Sequence, residues 1–338
     1  MFRYLFCLFF YFGIVFTGFA QEKRFVFSQQ KMGSPFTIIF YHHDTAIAAN
    51  TAEQCFHLVD SLVFIFSDYI DSSELNRLCA TAGSATNGFK VSAALLDILW
   101  LSKEANEKSF GSFDITLGPV TRLWRKARKE KIFPADKAVE EKLALTGFNK
   151  IHIDTTTHIV KLIQQGMQLD LGGIAQGYIA QKVIDLLKEK KILNALVDVS
   201  GDIVAIGNPP GLQGWTVGIN IPESKEDLLP QTLLITNKAV TTSGDVYQFM
   251  EHNGKRYSHI TNPATGYGIT SQRNVTVIAN DGTLADWLTK ACSILPLKSA
   301  KKLATKLGAE VLIVENKRGK LKFHATGGFK YFWKHTTE

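Results

Sequence analysis

Residues 170–206, DLGGIAQGYIAQKVIDLLKEKKILNALVDVSGDIVAI, decide how the chain folds. From Ile174 to Lys190 the apolar residues Ile174, Tyr178, Ile179, Val183, Leu186 and Leu187 recur at helical spacing, and the lysine-rich end suits the negative end of a helix dipole. Gly172 and Gly173 stand where a strand would turn into that helix. Two short runs of strand formers follow, Ala195 to Val199 and Ile203 to Ile206, separated by Ser200, Gly201 and Asp202, which suit a hairpin turn with side-chain hydrogen bonds to backbone. A glycine-led helix that feeds paired strands belongs to a domain in which long helices cover sheets.

Outward from this stretch the pattern repeats. Phe25 to Ser28 and Phe36 to Tyr41 read as strands, and Ala46 to Phe66 as a long helix with Ala48, Ala52, Cys55, Val59 and Leu62 on one face. Ser92 to Ser109 is a second amphipathic helix. Beyond the central stretch, Trp215 to Ile219, Leu233 to Thr236, Tyr257 to Ile260 and Val275 to Ala279 are predicted strands. Helices over Thr283 to Leu295 and Lys298 to Leu307 lead to closing strands Glu310 to Val314 and Leu321 to Ala325. Mixed sheets with several long helices give an α+β (mixed α/β) class, expected as one continuous domain over residues 21–338.

The 338 residues are 45% hydrophobic and 20% charged, a balance that excludes disordered, collagen-like and polytopic membrane chains. Lys plus Arg number 38 against 31 Asp plus Glu, a formal +7, but the charge is scattered. The runs Arg125 to Lys131 and Lys188 to Lys191 read as helix surfaces, so no nucleic-acid groove is expected. The opening MFRYLFCLFFYFGIVFTGFA carries one charge, Arg3, then an apolar run and small residues, which reads as a secretory signal over residues 1–20 cleaved near Ala20. The expectation is an exported, periplasmic protein, associated with the inner membrane if the leader stays uncleaved. Leu5 to Phe16 is shorter than the roughly 20 apolar residues of a spanning helix, so the mature chain is not expected to cross a membrane. Cys55, Cys79 and Cys292 form an odd set without metal-ligand spacing, which indicates neither a zinc site nor a disulfide framework.

Three segments carry candidate chemistry. The glycines before Ile174 let backbone approach a ligand at a helix start, which suits a phosphate, and equally serve a tight turn with close helix packing. Val199 to Asp202 and Thr242 to Asp245 place small residues beside an acid, as hairpin turns do. Tyr257 to Gly266, YSHITNPATG, is a strand with one histidine, His259, followed by a rigid turn.

Their order is more specific than any one of them. Met32-Gly33-Ser34, Ser67-Asp68-Tyr69, Ser73 to Arg77, Gly111-Ser112-Phe113-Asp114, Gly118-Pro119, Leu123-Trp124, the Gly172-Gly173 turn, Val199 to Asp202, Ser243-Gly244-Asp245, the His259 segment and Ala285-Asp286 follow one another. This series resembles the FAD:protein FMN transferase (ApbE-like) family from about Met32 to the helix ending near Leu295.

The resemblance implies a two-lobed fold and a Mg²⁺-dependent periplasmic enzyme. Such an enzyme splits the pyrophosphate of FAD, transfers FMN to a threonine or serine hydroxyl of an acceptor as a phosphoester, and releases AMP. Acceptors in the family are flavoprotein subunits of membrane redox complexes, modified in a segment like D-x-x-T-G-A-T, which this chain lacks. By resemblance His259 is the base that takes the hydroxyl proton, and Met32, Tyr69, Ser112, Phe113, Asp114, Gly172, Tyr178 and His259 contact FAD. Tyr69 lies against the flavin, and Asp114 either accepts from the nucleotide or caps the following turn. The family's metal helix carries an Asp and, four residues on, a Thr, with a carbonyl from the glycine-rich turn. Here these become Ala175, Asp286 and, instead of Thr, Lys290, with Thr289 one position earlier; Gln176 stands where many members have Lys. Lys290 then either yields the metal role to Thr289, replaces part of the cation, or simply pairs with Asp286. Alternative readings are an FAD-binding protein without transfer and an FAD pyrophosphatase.

Overall fold

The computed structural model describes residues 22–85, 87–220, 228–244, 248–317 and 320–334; the expected leader and Asp245 lie outside them. In chain order the elements are β1 (Lys23–Lys31), β2 (Ser34–His42), α1 (Thr45–Phe66), α2 (Glu74–Ala80), β3 (Phe89–Lys90), α3 (Ala93–Lys108), α4 (Gly118–Glu130) and α5 (Asp136–Leu143). Then come β4 (Ile151–Asp154), β5 (Ile159–Leu162), α6 (Ala175–Glu189), β6 (Ala195–Val199), β7 (Asp202–Ile206), β8 (Trp215–Val217), β9 (Leu233–Ile235) and β10 (Lys238–Gly244). The chain continues with β11 (Phe249–His252), β12 (Lys255–Ser258), β13 (Arg273–Ala279), α7 (Gly282–Ile294), α8 (Leu297–Lys306), β14 (Glu310–Lys317) and β15 (Lys320–Ala325).

Eight strands form one sheet in the order β1-β2-β6-β7-β10-β13-β14-β15. Alternation along its strands sorts the side chains into two layers, because successive residues point to opposite faces. Phe36, Ile38, Phe40, Ala195, Val197, Val199, Val275, Val277 and Ala279 face the helices in the main core, with Val59, Ile179, Val183 and Leu288 packed above them. Leu196, Ala205, Val240, Ile278, Leu312 and Val314 point the other way, where Trp215, Ile235 and Phe329 cover them. A third, smaller core gathers Leu117 just before α4 with Val120, Trp124 and Ala127 on α4 and Val139 on α5.

The predicted mixed sheets are antiparallel at every described pairing. Tight hairpins enforce this at β1/β2 and β6/β7, and the two successive helices α7 and α8 return the chain so that β14 runs against β13. The class is therefore α+β with antiparallel sheets. Residues Thr242 to Gly244, expected in a turn, instead end β10 and pair with Thr276, Val275 and Asn274. Cys55, Cys79 and Cys292 are buried and free, and burial pushes their thiols up to about 12, 11 and 12. No helix among the described residues is long and apolar enough to cross a membrane.

Candidate active site

A cleft of about 820 Å³ opens between the helix-covered sheet and the α4 lobe. Met32, Tyr69, Ser112, Phe113, Asp114, Gly172, Ala175, His259 and Lys290 line it together, although the sequence spreads them over more than 250 positions. Tyr178, Asp286 and Thr289 do not. Tyr178 is a core residue whose ring packs edge-on against Phe66 at 5.4 Å and whose hydroxyl donates to Asp97 at 2.7 Å. Asp286 and Thr289 are fully buried behind the wall.

One end of the cleft is shaped by turns. Met32 and Gly33 connect β1 to β2 with φ of 52° and 75°, the two positive values of a tight hairpin turn. Glycine adopts such an angle freely, whereas Met32 holds it at a cost, and non-glycine residues in that region cluster at ligand sites. Ser112 to Asp114 follow α3, held by Asn106 Nδ2 donating to the Phe113 carbonyl at 2.8 Å. Asp114 caps the short turn after it: its Oδ1 accepts from the Thr116 N–H at 2.8 Å and hydroxyl at 2.7 Å. The capping alternative is thus realised, and burial raises the carboxyl above the usual range.

Along the rim, α4 supplies a basic edge. Trp124 on its buried face donates Nε1–H to the Gly266 carbonyl at 2.7 Å, which ties the helix to the turn after His259. Arg125 bridges Asp68 and Asp170, 2.8 Å from Asp170 Oδ2, and its guanidinium lies 4.4 Å from the Tyr69 ring centroid. Asp170 also accepts from Thr121 at 2.7 Å and from the Gly172 N–H at 2.9 Å, so it fixes the Gly172-Gly173 turn. Arg128, one turn on, lines the cleft with no hydrogen bond or ion pair to a described residue; burial and then Arg125 disfavour its charge. Sequence reading placed Arg125 and Arg128 on a solvated surface. Their i, i+3 spacing with Arg122, directly after Gly118-Pro119, was the signal that could have assigned all three to one helix face.

The opposite wall is where α6 meets α7. A Cβ on Gly177 would lie 2.1 Å from the Gly282 carbonyl oxygen, so the two helices touch backbone to backbone. No neighbouring side chain caps α6 at its start. Asp286 reaches across instead, and its Oδ2 accepts from the Gly177 N–H at 2.9 Å. Its Oδ1 accepts from Lys290 Nζ at 2.5 Å, and the Thr289 hydroxyl donates to the Asp286 carbonyl at 2.7 Å. Asp202, at the start of β7, adds a second buried carboxyl, which burial and then Asp286 push up to about 8. Burial would strip the Lys290 proton, but Asp286 and Asp202 outweigh it and hold the ammonium above its ordinary value.

This arrangement decides the fit of the expected divalent ion. Both Asp286 carboxylate oxygens are committed, one to an ammonium, and the Thr289 hydroxyl is turned into the helix. A Mg²⁺ demands oxygen ligands in octahedral geometry at about 2.0–2.1 Å. The residues as placed do not offer that shell.

His259 follows β12 at the far side of the cleft. Its backbone N–H donates to the Gln248 carbonyl at 2.8 Å, and Nδ1 lies 3.2 Å from the same oxygen. A carbonyl only accepts, so Nδ1 carries the proton and Nε2 is left as the ring's acceptor. Protein surrounds the imidazole on most sides while one part faces the cleft. Burial first, and Lys290 second, lower its pKa to about 4, so the neutral base form dominates near neutral pH.

The comparisons with known proteins converge. The ApbE family model matches residues 32–313. An FAD:protein FMN transferase of Treponema pallidum (strain Nichols) is 32% identical over 293 residues, 82% of this chain and 80% of that protein. One of Klebsiella pneumoniae (strain 342) is 30% identical over 272 residues, 80% of this chain and 82% of that protein. Among solved structures, the flavin transferase ApbE from Vibrio cholerae superposes with a TM-score of 0.83 at 25% identity, covering 92% of this chain and 99% of that one. The ApbE protein of Thermotoga maritima gives 0.82 at 26% identity, covering 93% and 100%. On fold, sequence and extent alike, the chain belongs to the ApbE family.

Proposed function

We propose that this chain is an FAD:protein FMN transferase that moves FMN from FAD to a threonine or serine hydroxyl of an acceptor protein and releases AMP. The observation that carries the reading is His259, a neutral imidazole with Nδ1–H given to Gln248 and Nε2 left as acceptor, at a cleft that also presents Tyr69, Arg128 and Lys290. The names of the relatives support the same activity.

In the proposed reaction the acceptor hydroxyl oxygen attacks the phosphorus of the FMN half. A new P–O ester bond forms while the bond to the bridging oxygen breaks, and AMP leaves with that oxygen. His259 Nε2 takes the hydroxyl proton and later passes it to solvent. Charge grows on the phosphoryl oxygens and on AMP, so the surrounding cations matter more than covalent chemistry by the protein. Arg128 and Lys290 supply positive charge in the cleft, beside Arg125, whose guanidinium is engaged by Asp68 and Asp170. Tyr69, 76% exposed with a guanidinium already on its ring, offers an aromatic surface to the isoalloxazine.

Further parts of the reading rest on sequence. The apolar leader supports export and work in the periplasm, and the family supports flavoprotein subunits of membrane redox complexes as acceptors. The test incubates the chain with FAD and an acceptor subunit carrying a D-x-x-T-G-A-T segment. Flavin fluorescence that stays on the denatured acceptor band, with AMP released in equal amount, is the expected result. FMN and AMP released to water without labelling would establish a pyrophosphatase, and unchanged FAD a binding protein.

A further inference from the structure

We infer that the Lys290 ammonium, anchored by Asp286, is the fixed cation this cleft presents to the FAD pyrophosphate, in the place where a divalent metal would otherwise act. The inference rests on the transferase reading and deepens it.

Three observations on one side of the cleft carry it. Lys290 Nζ sits 2.5 Å from Asp286 Oδ1, the atom a metal would need, and the other carboxylate oxygen is engaged by the Gly177 N–H. A divalent ion beside that carboxylate would stand against the ammonium, and like charges at such range repel strongly where water is scarce. Asp202 on β7, pushed up to about 8, largely keeps its proton near neutral pH, so Asp286 is the carboxylate that anchors Lys290. Its stem passes across the glycine turn: a Cβ on Gly173 would lie 3.4 Å from Lys290 Cγ and 3.1 Å from the Phe113 ring. The lysine stem thus packs against the glycine turn, where an added Cβ would crowd the Phe113 ring and touch the stem. Lastly, the side chain keeps 20% of its surface exposed and lines the cleft while Asp286 is fully covered. An ammonium carries three N–H donors, and the one given to Asp286 leaves others for phosphate oxygens.

The cleft would then be charged before FAD arrives and would need no metal to bind it. The test titrates the wild-type chain with FAD, following flavin fluorescence, in EDTA and again in millimolar Mg²⁺. Affinities within about threefold of each other are expected. Mn²⁺ added without FAD should keep the free-ion electron paramagnetic resonance spectrum. Lys290→Thr, checked for folding by circular dichroism, should bind FAD about ten- to a hundredfold more weakly in EDTA, the usual scale for losing a charged hydrogen bond, and recover in Mg²⁺. A tenfold or greater loss of wild-type FAD affinity or of transfer in EDTA, or a stoichiometric Mn²⁺ site in the wild-type chain, overturns the inference and leaves the transferase reading standing. No FAD binding in either buffer overturns both. The wild-type arms decide the matter even where the variant does not fold.

Discussion

At the α6/α7 wall of the cleft two helices touch at Gly177 and Gly282, Asp286, Lys290 and Thr289 are bound to one another or to backbone, and Asp202 is buried with a hydrogen bond to the Thr241 side chain. At the α4 wall Tyr69 is exposed and Arg128 has no hydrogen bond or ion pair to a described residue, while Arg125 is pinned by Asp68 and Asp170 and Thr121 by Asp170. The first wall has its charges fixed by burial, whereas the second meets its ligand through side chains that water still reaches. Substitutions of the covered groups at the first wall, Asp286 and Gly177, should therefore cost stability, whereas substitutions at the second wall, and of Lys290 where it reaches the cleft, should cost FAD affinity.

The sharpest way to break the contrast is Asp286→Ala. It strands the largely covered Lys290 ammonium and leaves the Gly177 N–H without its acceptor. Removing one partner of a buried pair costs about 3–5 kcal/mol, so chemical denaturation should show a loss of that size. Gly177→Ala comes next. Its Cβ meets the Gly282 carbonyl, which cannot move without shifting α7, and overpacking of this kind costs about 1–3 kcal/mol. Differential scanning calorimetry would record the lower Tm.

Across the cleft the readout changes. Arg128→Ala should weaken FAD binding by about tenfold, at the low end for a hydrogen bond to a charged group because the site is partly wet, and the difference should shrink in high salt. Its Tm should stay near that of the wild type. The smallest effect is expected for Tyr69→Ala, where losing an aromatic contact of about 0.5–1.5 kcal/mol weakens binding by roughly two- to tenfold. If Tyr69→Ala lowered Tm more than it lowered affinity, the exposed wall would be structural and the comparison would collapse.

The same contrast explains what the sequence disclosed. Elements with one apolar face were legible: α1, α3, α6, α7, α8 and the strands that alternate into the main core follow from period alone. Of α4 only the basic run from Arg125 was read as a helix surface, and α5 was not read at all, because RLWRKARKE and DKAVEEKL are dominated by charge and bury only a narrow stripe. Strand β10 reads KAVTTSG, small and polar, and is a strand only because β7 and β13 flank it. In the site, the residues on turns and loops, Met32, Tyr69, Ser112, Phe113, Asp114, Gly172 and His259, were found through the order of their segments. Tyr178, Asp286 and Thr289 do not line the cleft; they are helical residues whose facing depends on what packs against them. Gly177 was read only as part of a glycine-rich start, and its backbone contact with Gly282 exists in three dimensions alone.

The pH behaviour follows from His259. Its folded pKa of about 4 lies below the ordinary 6.5, so the folded chain resists the proton that the unfolded chain accepts. Its contribution to stability is therefore constant above about pH 6.5 and falls as the pH drops from there toward 4. For the same reason the base form should persist well into acid.

The central claim, that His259 takes the acceptor proton, is tested most directly by single-turnover transfer at saturating FAD, with wild type and His259→Gln compared from about pH 4 to 8. The account predicts a wild-type rate with its acid limb near pH 4 rather than 6.5. It predicts a variant about a hundred- to ten-thousandfold slower whose FAD affinity is unchanged. A variant that transfers flavin at the wild-type rate would contradict it.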